Sequence, residues 1–164
     1  MQLTNLVDPV ELTRQMIDIP SVSGDEGPLA DAVEAALRGV GFGSVPSLEI
    51  LRDGDAVCAR TRLGLGQRVV LAGHLDTVPI ADNVPGRFEE RDGATVLWGR
   101  GSVDMLGGCA AALALACEVG AVLRSGGEAE LSTDVTWIFY DHEEVASHLN
   151  GLGRIQRRFP DWLA

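Results

Sequence analysis

The sequence contains no lysine, and its 24 acidic residues outnumber its 13 arginines, which gives a formal net charge of −11. Nucleic acid is bound by basic surfaces, so this charge balance argues against a nucleic-acid partner. Only three cysteines are present, and no two of them form a Cys-x-x-Cys pair. A zinc knuckle and a dithiol redox motif are therefore excluded. The charge is compatible with cations and with small polar substrates.

Long apolar runs are also scarce. The longest, residues 109–117, is mostly alanine and lies in the middle of the chain, so it fits neither a membrane span nor a signal peptide. The chain has 164 residues, 46% of them hydrophobic, which is enough for one domain with its own core. We expect a cytoplasmic protein that acts on a small-molecule substrate and has no membrane partner.

The first part of the chain mixes helical and strand-like patterns. The pair Asp8-Pro9 predicts a helix start, and apolar spacing predicts a second helix over about 28–38. Turn pairs at Asp53-Gly54 and Asp92-Gly93, each between strand-like runs, predict two hairpins. The continuous apolar run 67–73 between these hairpins predicts a central strand buried on both faces.

The second part continues the alternation. Apolar spacing predicts a long helix over about 107–124, a second buried strand over 134–141 and a short basic helix over 152–159. This order of elements predicts an α/β domain with a mixed central sheet and flanking helices. In such folds ligands gather where the carboxyl ends of strands meet loops.

The first candidate site follows the apolar run "VVLAG". His74 and Asp76 are two residues apart in an extended segment, so their side chains lie on the same side. A metal-binding histidine commonly donates its second ring N–H to a carboxylate or a carbonyl, and Asp76 is placed to accept it. A purely structural role for His74 is the alternative.

The second candidate is Asp104 in the stretch "WGRGSVDMLGG". Glycines on both sides allow unusual backbone angles and a close approach of the chain. A carboxylate held by such a loop has two oxygens and could bridge two cations. The alternative interpretation is that Asp104 caps the N-terminus of the following helix.

The third candidate is the pair Glu143 and Glu144, which follows the second buried strand. Adjacent carboxylates in a cleft repel each other unless a cation lies nearby. One of them could bind a metal while the other acts as a general base on water. A solvated helix start is the alternative. The HExxH zinc-protease pattern is absent, since Ala146 stands four residues after His142.

The segments "GHLDTVP" and "GRGSVDM", followed by Glu-Glu after a hydrophobic strand, resemble peptidase family M20, which comprises zinc-dependent aminoacylases and carboxypeptidases. The resemblance covers essentially the whole chain. It implies that His74 binds one zinc ion, that Glu144 binds a second and that Asp104 bridges both. It also implies that Glu143 is the general base and that Asp76 orients His74. Cobalt could replace zinc, and the intact family forms homodimers.

The segments "HLDTVPIADNVP" and "NGLGRI" resemble the actinobacterial branch of that family, which implies hydrolysis of N-succinyl-LL-diaminopimelate to succinate and diaminopimelate in lysine biosynthesis. An acetylornithine deacetylase, an aminoacylase or a carboxypeptidase shares the same motifs and is an alternative. A non-catalytic relic is another.

The chain departs from the family pattern in two ways. Leu106 stands where the family usually has lysine, two residues after the bridging aspartate. Family members also continue beyond the position of Ala164, with further zinc ligands and a lid and dimerisation domain. We therefore expect residues 1–164 to be a partial M20 catalytic domain that is inactive alone and binds zinc weakly. The resemblance further implies a cis peptide bond between Asp104 and Met105.

Overall fold

The computed structural model describes residues 2–41, 48–127 and 130–164. Four α-helices and six strands lie within these residues, together with two short 3-10 turns. The helices are α1 (Pro9–Ile17), α2 (Gly27–Gly41), α3 (Leu106–Arg124) and α4 (Gly151–Arg158). The strands are β1 (Glu49–Asp53), β2 (Ala56–Arg60), β3 (Arg68–His74), β4 (Arg87–Arg91), β5 (Ala94–Trp98) and β6 (Asp134–Tyr140).

Four strands form a mixed sheet in the order β1-β2-β6-β3, and β4 and β5 form a separate hairpin. β6 runs antiparallel to β2 and parallel to β3. All seven residues of β6 are buried, which confirms the predicted second buried strand. An α/β fold with a mixed sheet and flanking helices is therefore confirmed.

The prediction that 67–73 forms a central strand buried on both faces is wrong. β3 is an edge strand in the part of the sheet that the structure describes, and Val69 is 45% exposed. A cavity of about 320 Å³ lies beside it, lined by residues of β3 and α3 that include Leu71, Ala112 and Leu115. The apolar composition of residues 67–73 indicates a preference for burial, but it does not determine which strands pair with β3.

The helix starts and turns follow local chemistry. The Asp8 carboxylate accepts hydrogen bonds from the backbone N–H groups of Val10 and Glu11, so the predicted cap of α1 is confirmed. Gly54 has φ +62° in the β1–β2 turn, and Asp92 and Gly93 have φ +52° and +79° in the β4–β5 turn. These are the left-handed conformations that glycine and aspartate adopt most readily, so both predicted hairpins form.

α3 meets the length and hydropathy criteria of a membrane-spanning helix, contrary to the expectation that no apolar run is long enough. Its buried residues include Cys109, Leu113 and Leu123, which belong to the main core. Gly73 lets α3 approach β3 closely, since a Cβ there would lie 2.8 Å from Cys109 Sγ. This packing is that of a core helix, so the criterion is weak evidence for a membrane span.

The two faces of β6 bury different clusters. Val135, Trp137 and Phe139 pack on the side of α1, α2 and α3. Ile138 and Tyr140 point to the opposite side, where they pack with Ile155 of α4. The alternation is that of a strand covered on both faces, and it leaves the carboxyl end of β6 between two helical layers.

Candidate metal site

The candidate residues meet where β3 and β6 end side by side. His74 and Tyr140 are the last residues of these two parallel strands and are paired in the register. Asp76 lies two residues beyond β3, and Glu143 and Glu144 lie just beyond β6. Parallel strands end at the same edge of a sheet, so the topology brings both clusters together.

The three predicted metal ligands form one group. Single ligand atoms of His74, Asp104 and Glu144 all lie within 4.8 Å of one another. His74 Nε2 lies 3.1 Å from Asp104 Oδ1. One imidazole nitrogen and two carboxylate oxygens match the donors that zinc accepts, and three protein ligands are what catalytic zinc sites usually supply.

The second nitrogen of His74 is bound in a different way from the one predicted. Nδ1 lies 2.9 Å from the backbone carbonyl oxygen of Asp76, whereas the nearer carboxylate oxygen of Asp76 is 3.5 Å away. The carbonyl is therefore the nearer acceptor for the Nδ1–H, and Nε2 is the nitrogen that faces Asp104 and is placed to bind a metal once it loses its proton. Asp76 still orients His74, but mainly through its backbone.

Burial of His74 disfavours the protonated imidazole, but the hydrogen bonds to Asp76 and Asp104 outweigh burial. Together they raise the pKa of His74 to about 9 in the metal-free chain. The His74 imidazole is therefore protonated on both ring nitrogens at neutral pH. A metal ion that bound Nε2 would have to displace one of these protons.

The Asp76 carboxylate has a separate task that the sequence did not indicate. It is fully buried and accepts hydrogen bonds from the hydroxyl of Ser23 at 2.6 Å and from the backbone N–H groups of Glu143 and Glu144, each at 2.9 Å. Burial disfavours the ionised carboxylate, yet its contacts with His74, Ser23 and the two N–H groups hold the pKa of Asp76 well below its usual range. Asp76 thus fixes the backbone of the Glu-Glu pair relative to β3.

Asp104 lies in the loop that leads into α3, and its side chain is 75% exposed. The peptide bond between Asp104 and Met105 is cis, as the family resemblance implies. The alternative interpretation of Asp104 as a helix cap is wrong, because Met105 occupies the N-cap position of α3 and no side chain caps it. Leu106, at the family's lysine position, is 1% exposed and packs in the main core.

Glu143 and Glu144 do not begin a helix. The segment after β6 is irregular, and α4 starts only at Gly151. The Glu143 carboxylate lies outside the three-residue group and instead accepts hydrogen bonds from Tyr140 and Asn150. Neither of these donors is predicted from the sequence. The only signal in the sequence for the Asn150 contact is that Asn150 precedes the predicted basic helix, where asparagine is a typical cap.

The residues next to the Glu-Glu pair have structural partners. Asp141 is buried and accepts hydrogen bonds from both terminal nitrogens of Arg154, at 2.6 and 3.1 Å. Arg154 also binds Asp53, the last residue of β1, at 3.0 Å. His142 Nδ1 lies 2.7 Å from Asp141 Oδ2. The contacts of Arg154 attach α4 to the sheet, and Asp141 and His142 have structural partners there.

The three cysteines are buried in the fold. Burial raises the pKa of the Cys58, Cys109 and Cys117 thiols to about 12. Cys109, the one nearest the site, donates its S–H to the backbone carbonyl of His74 at 3.1 Å. A thiol in this state is neither a nucleophile nor a metal ligand near neutral pH.

A cavity of about 340 Å³ opens beside the group and can receive a small molecule. Its lining includes Val78, Arg100, Ser102, Asp104 and Glu144. Arg100 Nε is buried, with no hydrogen-bond partner among the residues that the structure describes. The cavity is therefore lined by two of the candidate metal-ligand carboxylates and by one arginine.

Residues 70–160 match the model of peptidase family M20/M25/M40, and the chain belongs to this metal-dependent hydrolase family. The succinyl-diaminopimelate desuccinylase of Corynebacterium glutamicum is 48% identical over 159 residues, which are 97% of this chain and 40% of that protein. A Mycobacterium tuberculosis protein named as a putative succinyl-diaminopimelate desuccinylase is 50% identical over 157 residues. These residues are 96% of this chain and 40% of that protein. The chain thus spans about 40% of the length of these relatives.

The solved structures agree on the fold. The M20 family metallo-carboxypeptidase Sso-CP2 from Sulfolobus solfataricus superposes with a TM-score of 0.64 at 16% identity. The match covers 94% of this chain and 35% of that one. At this identity the likeness supports the fold alone.

Proposed function

We propose that the chain forms part of a zinc-dependent hydrolase that cleaves an N-acyl amide. The observation that carries the proposal is the convergence of ligand atoms from His74, Asp104 and Glu144 within 4.8 Å. The orientation of His74 supports it, because the hydrogen bond at Nδ1 directs Nε2 toward Asp104, where it could bind a metal. Two carboxylates and one imidazole fit zinc, and cobalt accepts the same donors.

Each site residue has a role in this proposal. His74 would hold one zinc ion, Glu144 would hold a second, and the Asp104 carboxylate, which has two oxygens, would be shared between them. Glu143 is the general base that removes a proton from the attacking water. Asp76 fixes His74 and the Glu-Glu backbone. A bound zinc ion supplies Lewis acidity toward the amide carbonyl.

We propose N-succinyl-LL-diaminopimelate as the substrate, with succinate and diaminopimelate as products, which is a reaction of lysine biosynthesis. The identity of 48–50% to the two actinobacterial relatives supports this choice over acetylornithine, other N-acyl amino acids or peptides. A succinyl group carries a free carboxylate, and Arg100 in the cavity offers a charge of the opposite sign.

We also propose that residues 1–164 are a partial catalytic domain, and that the rest of the active enzyme corresponds to the part of the relatives outside the matched span. The remaining metal ligands and a lid and dimerisation domain would lie there. A homodimer in the cytoplasm, with no nucleic-acid or membrane partner, completes the proposal.

A chimeric enzyme tests this function. Residues 1–164 replace the matching segment of the Corynebacterium glutamicum relative, which supplies the remaining sequence. With zinc, the chimera should hydrolyse N-succinyl-LL-diaminopimelate, whereas the 164-residue chain alone should not. Glu143→Gln should abolish the hydrolysis, because an amide cannot take up the proton.

Two controls make the result decisive. Glu90→Gln changes an exposed acidic residue on the β4–β5 hairpin and should leave the rate unchanged. N-acetylornithine, offered to the same chimera, reports the alternative substrate. A folded, zinc-loaded chimera that hydrolyses N-acetylornithine but not the succinylated substrate would overturn the substrate assignment. A chimera whose hydrolysis survives Glu143→Gln would overturn the role of Glu143.

A further inference from the structure

The Glu143 carboxylate is held at one oxygen only. Its Oε2 accepts a hydrogen bond from the Tyr140 hydroxyl at 3.0 Å and a second from the Asn150 side-chain amide at 2.6 Å. Within residues 2–41, 48–127 and 130–164, no group donates a hydrogen bond to Oε1. The two oxygens of this carboxylate therefore have different surroundings.

Both donors are fixed by the fold before they reach Glu143. Tyr140 is the last residue of β6, is 8% exposed and packs in the cluster on the α4 side of the sheet. Its ring lies edge-on to the His74 ring, with 6.1 Å between ring centroids. The hydroxyl is thereby held at the junction of the metal site and the Glu-Glu pair.

Asn150 is oriented by the helix that it caps. Its side-chain oxygen accepts a hydrogen bond from the backbone N–H of Gly153 at 3.0 Å, which orients the amide nitrogen toward Glu143. α4 in turn is anchored by the fully buried Ile155 and by the contacts of Arg154 with Asp141. The direction of the Asn150 donor is thus set by a packed helix.

We propose that Tyr140 and Asn150 are positioning residues that fix Glu143 Oε2 and leave Oε1 as the oxygen that accepts the proton. This inference rests on the proposed role of Glu143 as the general base. Two neutral donors on an ionised oxygen restrict rotation of the carboxylate and keep it ordered before substrate binds.

The proton path then follows a balanced sequence. An O–H bond of water breaks as the water oxygen bonds to the amide carbon; the π electrons of the carbonyl move onto its oxygen, and the proton passes to Oε1. When the carbonyl re-forms and the carbon–nitrogen bond breaks, the same proton passes from Oε1 to the leaving amine nitrogen. Oε2 keeps its two hydrogen bonds throughout, so the carboxylate does not need to reorient between the two transfers.

Because Tyr140 is the only tyrosine in the chain, its ring is a spectroscopic probe that needs no assignment. The 164-residue chain with a 13C label at tyrosine Cζ is compared with its Glu143→Gln and Glu144→Gln variants. The Cζ signal should move on Glu143→Gln, since the hydroxyl loses a charged acceptor, and should stay in place on Glu144→Gln. Equal spectra for the native chain and Glu143→Gln would overturn the inference, whether or not the protein is a desuccinylase.

Kinetics of the chimera separate positioning from simple packing. Tyr140→Phe keeps the ring but removes the donor, and Asn150→Ser keeps a capping oxygen for Gly153 but removes the amide. Each should lower kcat by about tenfold with little change in KM, as expected for the loss of one hydrogen bond to a charged group. Asn150→Gln offers a donor again but caps poorly, so partial recovery of kcat should accompany lower thermal stability. Unchanged kcat in both Tyr140→Phe and Asn150→Ser would overturn the inference.

Discussion

Replacing Asp76 with asparagine should destabilise the chain severely, although the two side chains have nearly the same size. The native carboxylate is fully buried and accepts hydrogen bonds from Ser23, Glu143 N–H and Glu144 N–H at 2.6–2.9 Å. An asparagine amide has one oxygen and one nitrogen, so at least one of the two backbone N–H groups would face another donor.

The structure sets the size of this effect. A hydrogen bond to a charged group contributes about 1.5–3 kcal/mol, and an unsatisfied buried donor costs about 1–3 kcal/mol. The loss of one charged bond and the weakening of the others therefore predict about 3–5 kcal/mol, a large part of the roughly 5–15 kcal/mol that stabilises a typical domain. Urea unfolding followed by tryptophan fluorescence measures the free energy, with the buried Trp137 as one reporter.

The pH dependence of the unfolding free energy tests the contribution of the ionised Asp76 carboxylate independently. Because the pKa of Asp76 is lowered in the folded chain, its contribution is fully present above the ordinary aspartate pKa, near 3.9, and decreases as the pH falls below that value. The native chain should therefore lose its advantage over Asp76→Asn only in acid. Asp92→Asn, at an exposed turn position with φ +52°, is the control and should change stability by less than about 0.5 kcal/mol. A loss below about 1 kcal/mol for Asp76→Asn at pH 7 would refute the reasoning.

Two further predictions concern the metal and the core. The pKa of His74 is raised to about 9 without metal, so the protonated imidazole stabilises the metal-free fold fully below its ordinary value near 6.5 and less as the pH rises through 9. Zinc must displace this proton, so its affinity should rise roughly tenfold per pH unit between pH 7 and 9, with about one proton released, as measured by calorimetry in buffers of different ionisation enthalpy. Leu106→Ala should cost about 2–5 kcal/mol in urea unfolding, because Leu106 is 1% exposed within the core; a smaller loss would mean that the start of α3 repacks.

The elements that local chemistry determines could be predicted from the sequence. The Asp8 cap and the Gly54 and Gly93 turns depend on residues within a few positions of one another, and the apolar composition of β6 was enough to predict a buried strand. The location of β3 at an edge was not predictable, because an apolar run does not specify which strands flank it. Val69 of β3 is exposed although other valines of the chain are buried in the core, so the residue type alone does not report its burial.

Some features of the candidate site could be predicted from the sequence and others could not. His74, Asp104 and Glu144 could be named because their residue types and motifs point to a metal, and the structure brings them together. The role of the Asp76 carboxylate could not be predicted, since Ser23 and the Glu143 N–H lie 53 and 67 residues away in sequence. The Asn150 contact depends on how α4 docks, which no local pattern reports.

The most direct test of the account is a zinc titration of the 164-residue chain and its Glu144→Gln and Glu143→Gln variants, followed by calorimetry at pH 8. The two substitutions are adjacent and remove the same charge, but only Glu144 belongs to the group of ligand atoms within 4.8 Å. Glu144→Gln should weaken zinc binding at least tenfold, as should His74→Ala, whereas Glu143→Gln should stay within about twofold of the native chain. Equal weakening by the two glutamate substitutions, or zinc binding that is unaffected by His74→Ala, would contradict a metal centre built from His74, Asp104 and Glu144.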